Sequence, residues 1–181
     1  KTGFWNVDDL EEHVFDMLLA EALKNYLQMN GVVSLFDFGC GPGAYVNYFN
    51  QNDIAAIGYD GNPNTPALSN GTCEVLDLTI ARHLGMISNC VLSLEVGEHI
   101  PKKYESIFID NLTKHSSNLI IISWAVPGQQ GYGHVNCQTN EYIREEFVKR
   151  GFLPEMYMEN ILRLTAENGW FKDTIMVFKK K

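Results

Sequence analysis

Four acidic residues, Asp37, Asp60, Asp77 and Glu95, each stand at the end of an apolar, β-prone run, and glycines follow the first almost at once. In Asp37-Phe38-Gly39-Cys40-Gly41-Pro42-Gly43 the missing Cβ atoms open φ > 0, so the backbone can lie flat against a ligand. A carboxylate accepts paired hydrogen bonds from a vicinal diol such as a ribose, and a sulfonium or amino group gains from nearby negative charge. Taken singly, an acidic residue at a strand end caps the helix that follows. Four along one edge fit a cationic ligand that carries a diol. A second group lies close by: Glu98 and His99 follow Glu95, and His134 sits in a glycine-rich stretch. His134, His99 or Glu98 could take a proton from a reacting group. Glu95, Glu98, His99 and His134 together could ligate a divalent metal if the stretch around His134 folds back.

These residues need a scaffold that gathers them. Apolar residues at helical spacing (Leu10, Val14, Leu18, Ala22, Leu23, Tyr26, Leu27) predict a helix over 8–29, with Asp8 and Glu11 as a capping pair and Gly31 as its stop. Strands are expected over 32–38, 54–59, 73–78, 90–94, 119–124, 152–158 and 174–178. Helices are expected over 101–115, with Pro101 in the first turn, and 141–149, ended by Gly151. Continuous apolar runs alternating with helices describe a parallel sheet buried on both faces, with right-handed crossovers. The glycine turn then lies at the carboxyl ends of the strands, where open α/β sheets bind nucleotides. Residues 127–138, with Gly128, Gly131 and Gly133, read as a functional loop over that edge.

Bulk properties narrow the choice. Acidic residues outnumber basic ones by 22 to 14, and the net charge of −8 disfavours a protein that grips nucleic acid through phosphates. The terminal Lys179-Lys180-Lys181 reads as a solvated tail. Cys40, Cys73, Cys90 and Cys137 show no C-x-x-C spacing, against a zinc knuckle or redox motif, and are read as reduced thiols of a cytoplasmic protein. No apolar run reaches the length of a membrane span, and no membrane partner is expected.

The order Asp37-x-Gly39-x-Gly41-x-Gly43 resembles the first motif of class I S-adenosylmethionine-dependent methyltransferases. Its G-x-G-x-G spacing departs from the G-x-G-x-x-G of a nicotinamide-dependent oxidoreductase, the competing enzyme reading. Tyr59-Asp60-Gly61-Asn62-Pro63 looks like the methyltransferase motif for the cofactor ribose, and Val75-Leu76-Asp77-Leu78 like the one that contacts adenine. The run from Ser93 to Pro101 resembles the motif E-V-x-E-H, and the run from Trp124 to Asn136 is similar to P-G-Q-x-G-x-G-H-V-N loops of methyltransferase-like proteins of unassigned substrate.

The resemblance implies an α/β, Rossmann-like methyltransferase fold: a seven-stranded, mostly parallel sheet with helices on both faces and an antiparallel last strand. It implies a single domain over 1–181 whose segment 1–30 covers the cofactor site. S-adenosylmethionine is the implied cofactor and S-adenosylhomocysteine the product, held by Asp37, Gly39, Cys40, Gly41, Gly43, Asp60, Gly61, Asp77, Leu78 and Glu95, with His13 from the N-terminal helix. His134 leads His99 and Glu98 as the expected catalytic group, because its loop follows the fifth strand, where an acceptor would lie. The expected acceptor is an O or N atom of a small molecule, and the protein a monomer or homodimer. The alternatives are an RNA 2′-O-methyltransferase with metal assistance and a non-catalytic methyltransferase-like scaffold. A similar E-x-x-E-H motif lies near a metal in some RNA 2′-O- and quinone-pathway O-methyltransferases, and many relatives bind none. Trp5, Trp124 and Tyr132 could stack on a planar acceptor, although core packing is the commoner fate of a Trp such as Trp124.

Overall fold

Seven strands form one sheet in the computed structural model, which describes residues 14–181. They are β1 (Ser34–Phe38), β2 (Ala55–Asp60), β3 (Cys73–Val75), β4 (Ser88–Ser93), β5 (Ser116–Ile122), β6 (Phe152–Pro154) and β7 (Met176–Lys180). Their order is β3-β2-β1-β4-β5-β7-β6. The first five run parallel, and β7 inserts antiparallel to both β5 and β6. The helices are α1 (Met17–Met29), α2 (Ala44–Asn50), α3 (Thr65–Leu68), α4 (Glu105–Lys114), α5 (Asn140–Lys149), α6 (Met156–Thr165) and α7 (Phe171–Thr174).

Successive side chains of a strand point to opposite faces. Leu35, Leu119 and Ile121 therefore join Leu19, Leu23 and Leu27 of α1, Val46 and Phe49 of α2 and Leu162 of α6 on one face. Phe36, Ile120 and Ile122 join Phe108 and Leu112 of α4 and Ile143 and Phe147 of α5 on the other. Both faces are covered, so the strands have no polar side to show, and each large side chain buried there contributes roughly 1.5–3 kcal/mol. The chain runs from β1 outward to β2 and β3, then returns to β4 on the other side of β1. That reversal opens a crevice at the carboxyl ends of β1 and β4.

Several expectations need correction. Helix α1 begins at Met17, not at Asp8: Asp16 caps it by accepting from Leu19 N at 2.9 Å, and residues 14–16 are not helical. Asp16 Oδ2 also accepts from the backbone N–H groups of Glu167 and Asn168, which ties this start to the far end of the chain. The expected pair Asp8 and Glu11 lies outside the described residues. Strand β3 stops at Val75, because Asp77 folds back to accept from both Thr79 N and its hydroxyl. The stretch after Pro101 starts as a 3-10 turn and becomes helix α4 only at Glu105. The strand expected over 152–158 ends at Pro154, and α6 follows it; Thr174 closes the short α7 rather than opening β7. Lys179 and Lys180 pair with β5 and β6 instead of forming a tail. No helix among the described residues is long and apolar enough to cross a membrane.

Candidate functional site

At the crevice lies a cleft of about 410 Å³, and Asp37, Asp60, Asp77 and Glu95 all line it. The glycine turn forms its floor. Gly39 takes φ +87°, and a Cβ there would stand 2.2 Å from a methyl of Val96, so the turn admits no side chain. Gly39 N donates to Tyr59 O at 2.7 Å, and Gly41 N donates to Asp60 Oδ2 at 2.9 Å. Asp60 Oδ1 accepts from Asn62 N at 2.9 Å. Each carboxylate oxygen keeps a second lone pair for a ligand. Asp37 is buried, and burial first, then the nearby Cys73 and Asp60, push its carboxyl well above the usual range. Glu95 adopts φ +53°, an uncommon conformation for a non-glycine residue, and its backbone N–H donates to Ser123 Oγ at 2.7 Å.

The opposite wall depends on the loop over 126–138. Val135 N and Asn136 N both donate to Glu98 O at 2.9 Å, and Gln138 N donates to Ala125 O at 3.1 Å. The Trp124 indole donates to Asn136 O at 2.7 Å, and Asn136 Nδ2 donates to Glu105 Oε2 at 2.9 Å. Gln129 Nε2 reaches Glu95 Oε2 at 2.8 Å. Stitched in this way, the loop folds His134 back over the 3-10 turn Gly97–His99. One ligand-competent atom from each of Glu98, His99 and His134 then lies within 4.8 Å of the others. Glu98 is fully buried, and neither of its carboxylate oxygens has a hydrogen-bond partner. Burial and then the Glu95 charge hold its carboxyl well above the usual range. Burial, with His134 nearby, lowers His99 to about 4.

Of the expected cofactor residues, Asp37, Gly39, Cys40, Gly41, Asp60, Gly61, Asp77, Leu78 and Glu95 all line the cleft, as do Glu98, His99 and His134. Gly43 is not among the lining residues: it precedes α2 at φ +83°, and a Cβ there would meet Cys73 Sγ at 2.6 Å. His13 and Trp5 lie outside the described residues. Trp124 is buried and bonded to the loop backbone, hence structural, whereas Tyr132 lines the cleft and is 78% exposed. Sequence reasoning missed Gln129, Tyr45, Trp170 and Phe171, which also line the cleft. Gln129 stands in the P-G-Q portion of the loop and was within reach of that pattern. Trp170 and Phe171 carry no local signal, because only the packing of the chain's last segments brings them to the cleft.

No protein-family model matches the chain. No curated protein matches its sequence. Solved structures do match. The magnesium protoporphyrin IX methyltransferase from Synechocystis, with S-adenosylhomocysteine bound, is 18% identical over 90% of this chain and 82% of its own, with a TM-score of 0.69. The sugar N-methyltransferase KedS8 from Streptoalloteichus is 14% identical over 91% and 87%, with a TM-score of 0.72. The amino pentose methyltransferase CalS10 from Micromonospora echinaspora, with S-adenosylmethionine bound, is 14% identical over 90% of each chain, with a TM-score of 0.71. The chain has the Rossmann-like methyltransferase fold: a seven-stranded mixed sheet with helices on both faces and an antiparallel last strand.

Proposed function

We propose that this protein is an S-adenosylmethionine-dependent methyltransferase that methylates an O or N atom of a small-molecule acceptor. The carrying observation is that four strand-end carboxylates and the glycine turn meet in one cleft at the β1–β4 switch point. In this reading Asp60 accepts from the ribose hydroxyls, Asp77 and Leu78 border the adenine, and Asp37 and Glu95 face the positively charged methionyl end. Of the N-terminal segment expected to cover the site, Val14 lines the cleft just ahead of α1, whose apolar residues pack into the core on one face of the sheet. The reaction is an in-line displacement: the acceptor lone pair bonds to the methyl carbon as the carbon–sulfur bond breaks, and its electrons return to sulfur to give S-adenosylhomocysteine. The carbon is already activated, so the protein chiefly aligns donor and acceptor.

In this reading His134, which lines the cleft, takes the acceptor's proton. Its Nδ1 lies 3.2 Å from Gln129 O, a carbonyl that can only accept, so Nδ1 is the donor of this contact and Nε2 is the nitrogen left for an acceptor's proton. An RNA acceptor is disfavoured by the net charge of −8 and by the acidic cleft. Thermal unfolding with S-adenosylhomocysteine and, in parallel, with NAD tests the reading. At about 100 times Kd a ligand adds about 2.7 kcal/mol, a plain upward shift. A shift with NAD alone would overturn the proposal, and a shift with neither would favour a scaffold without catalysis.

A further inference from the structure

We propose that the methyl acceptor is an aliphatic primary or secondary amine that enters as its ammonium ion, and that Glu98 is the group that receives it. The inference rests on the methyl-transfer reading and narrows its acceptor atom to nitrogen.

The charge of the cleft is the first ground. Asp37, Asp60, Asp77, Glu95 and Glu98 line it, and among the described residues no Lys or Arg does. His99, lowered to about 4 chiefly by burial, is neutral at physiological pH and supplies no positive charge. The methyl donor brings a sulfonium and an ammonium against its own carboxylate, a single net positive charge. Carboxylates therefore stay in excess after the donor is bound. An acceptor bearing a phosphate or carboxylate is repelled, and a cationic one is drawn in.

Glu98 itself is the second ground. It is fully buried, and both of its oxygens lack a hydrogen-bond partner, as does Oε1 of Glu95. A buried carboxylate left in this way is costly unless donors or a positive charge reach it. Burial first, and then the charge of Glu95, hold the Glu98 carboxyl well above the usual range. A cation set against its oxygens relieves both.

The third ground separates an amine from an alcohol. His134 Nε2 lies 4.0 Å from Glu98 Oε1. That is too long for a hydrogen bond between them, and it is a span that one donor nitrogen bridges at about 2.8 Å from each. His134 Nδ1 donates to Gln129 O, so Nε2 is an acceptor. An ammonium nitrogen carries hydrogens for both atoms. A hydroxyl carries one and must leave Glu98 or His134 bare. A guanidinium has the donors but does not give up its proton, so it cannot become the nucleophile.

The step balances with these groups alone. The ammonium passes one proton to His134 Nε2. The lone pair so freed bonds to the methyl carbon as the carbon–sulfur bond breaks, and that bond's electrons go to sulfur. The products are S-adenosylhomocysteine, an N-methylammonium ion and an imidazolium that returns its proton to water. Glu98 takes no proton, and its charge faces a cation at each stage: the entering ammonium, the imidazolium and the methylated product.

The S-adenosylhomocysteine complex, titrated by calorimetry with n-butylamine, n-butanol and butyrate, tests the site, since the three probes share a chain and differ in charge and donors. Only the amine is expected to bind. Glu98→Gln should weaken it by about 10–100-fold, as loss of a charge-assisted hydrogen bond does. Its affinity for S-adenosylhomocysteine should stay unchanged, which also verifies that the variant is folded. Acetylating the amines of a metabolite extract should abolish the label that the extract takes up from methyl-labelled donor. Absence of amine binding, equal binding of butanol, amine binding that survives in folded Glu98→Gln, or label uptake that survives acetylation overturns the inference. A fall in S-adenosylhomocysteine affinity in Glu98→Gln would assign Glu98 to the cofactor and overturn it too. Failure of the unaltered protein to bind S-adenosylhomocysteine would instead overturn the methyltransferase reading on which the inference stands.

Discussion

Asp37, Asp60, Asp77 and Glu95 reach the cleft from the ends of β1, β2, β3 and β4, whereas Glu98, His99 and His134 meet only because a long loop after β5 is stitched back onto a 3-10 turn. The first wall is made by strand order: any parallel sheet with this topology brings those four positions to one edge. The second is made by side chains. It needs the Trp124 indole on Asn136 O, Asn136 on Glu105, and Gln129 on Glu95. The difference teaches a division of labour. The carboxylate wall, backed by glycine backbone, suits a ligand whose shape never changes, while the histidine wall is the part a new substrate would reshape.

Substitutions in one wall should therefore spare the other. The largest effect is expected for His134→Ala, where label incorporated from methyl-labelled donor into a metabolite extract should fall by about 10²–10⁴-fold. Its affinity for S-adenosylhomocysteine should stay unchanged by calorimetry, and an equal fall in both would erase the distinction. Next, Asp60→Ala should lower that affinity by about 10–100-fold, through lost charge-assisted hydrogen bonds of roughly 1.5–3 kcal/mol. Retained affinity would remove Asp60 from the ribose site. Gly131→Ala should act on the histidine wall alone. Its new methyl displaces His134, so transfer should drop about tenfold with cofactor affinity intact, milder than the roughly 100-fold that a 1 Å misplacement can reach.

The smallest effect concerns Asp37. Its folded carboxyl titrates above the unfolded value of 3.8, so the stability it contributes is full below that pH and is lost as pH rises through its raised value. Asp37→Asn should remove this slope and raise the ligand-free Tm at neutral pH by about 2–4 °C, the shift that about 1 kcal/mol gives a chain of this size. A Tm that falls would show that the ionised carboxylate is stabilised in the cleft.

Much of the carboxylate wall could be read from residue order. Each apolar run ending in Asp or Glu located a strand end, and Gly39 and Gly41 located the turn. The run at 73–78 was read too long, because Asp77 satisfies its own turn through Thr79. The strand expected over 152–158 runs into the first turn of α6, and that helix is not foreseen because its buried face includes Glu159, which looks solvent-facing in sequence but pairs with Arg144 and Arg163. The start of α1 was misplaced because Asp16 is chosen as its cap by partners at Glu167 and Asn168, far along the chain.

Periodicity and strand-end chemistry, which are local, determined from the sequence alone that a parallel sheet would carry an acidic, glycine-floored edge. Whether His134 would stand over Glu98 was decided only by tertiary structure. That meeting depends on hydrogen bonds between segments far apart in the chain, whose donors and acceptors have no partner until the loop has closed.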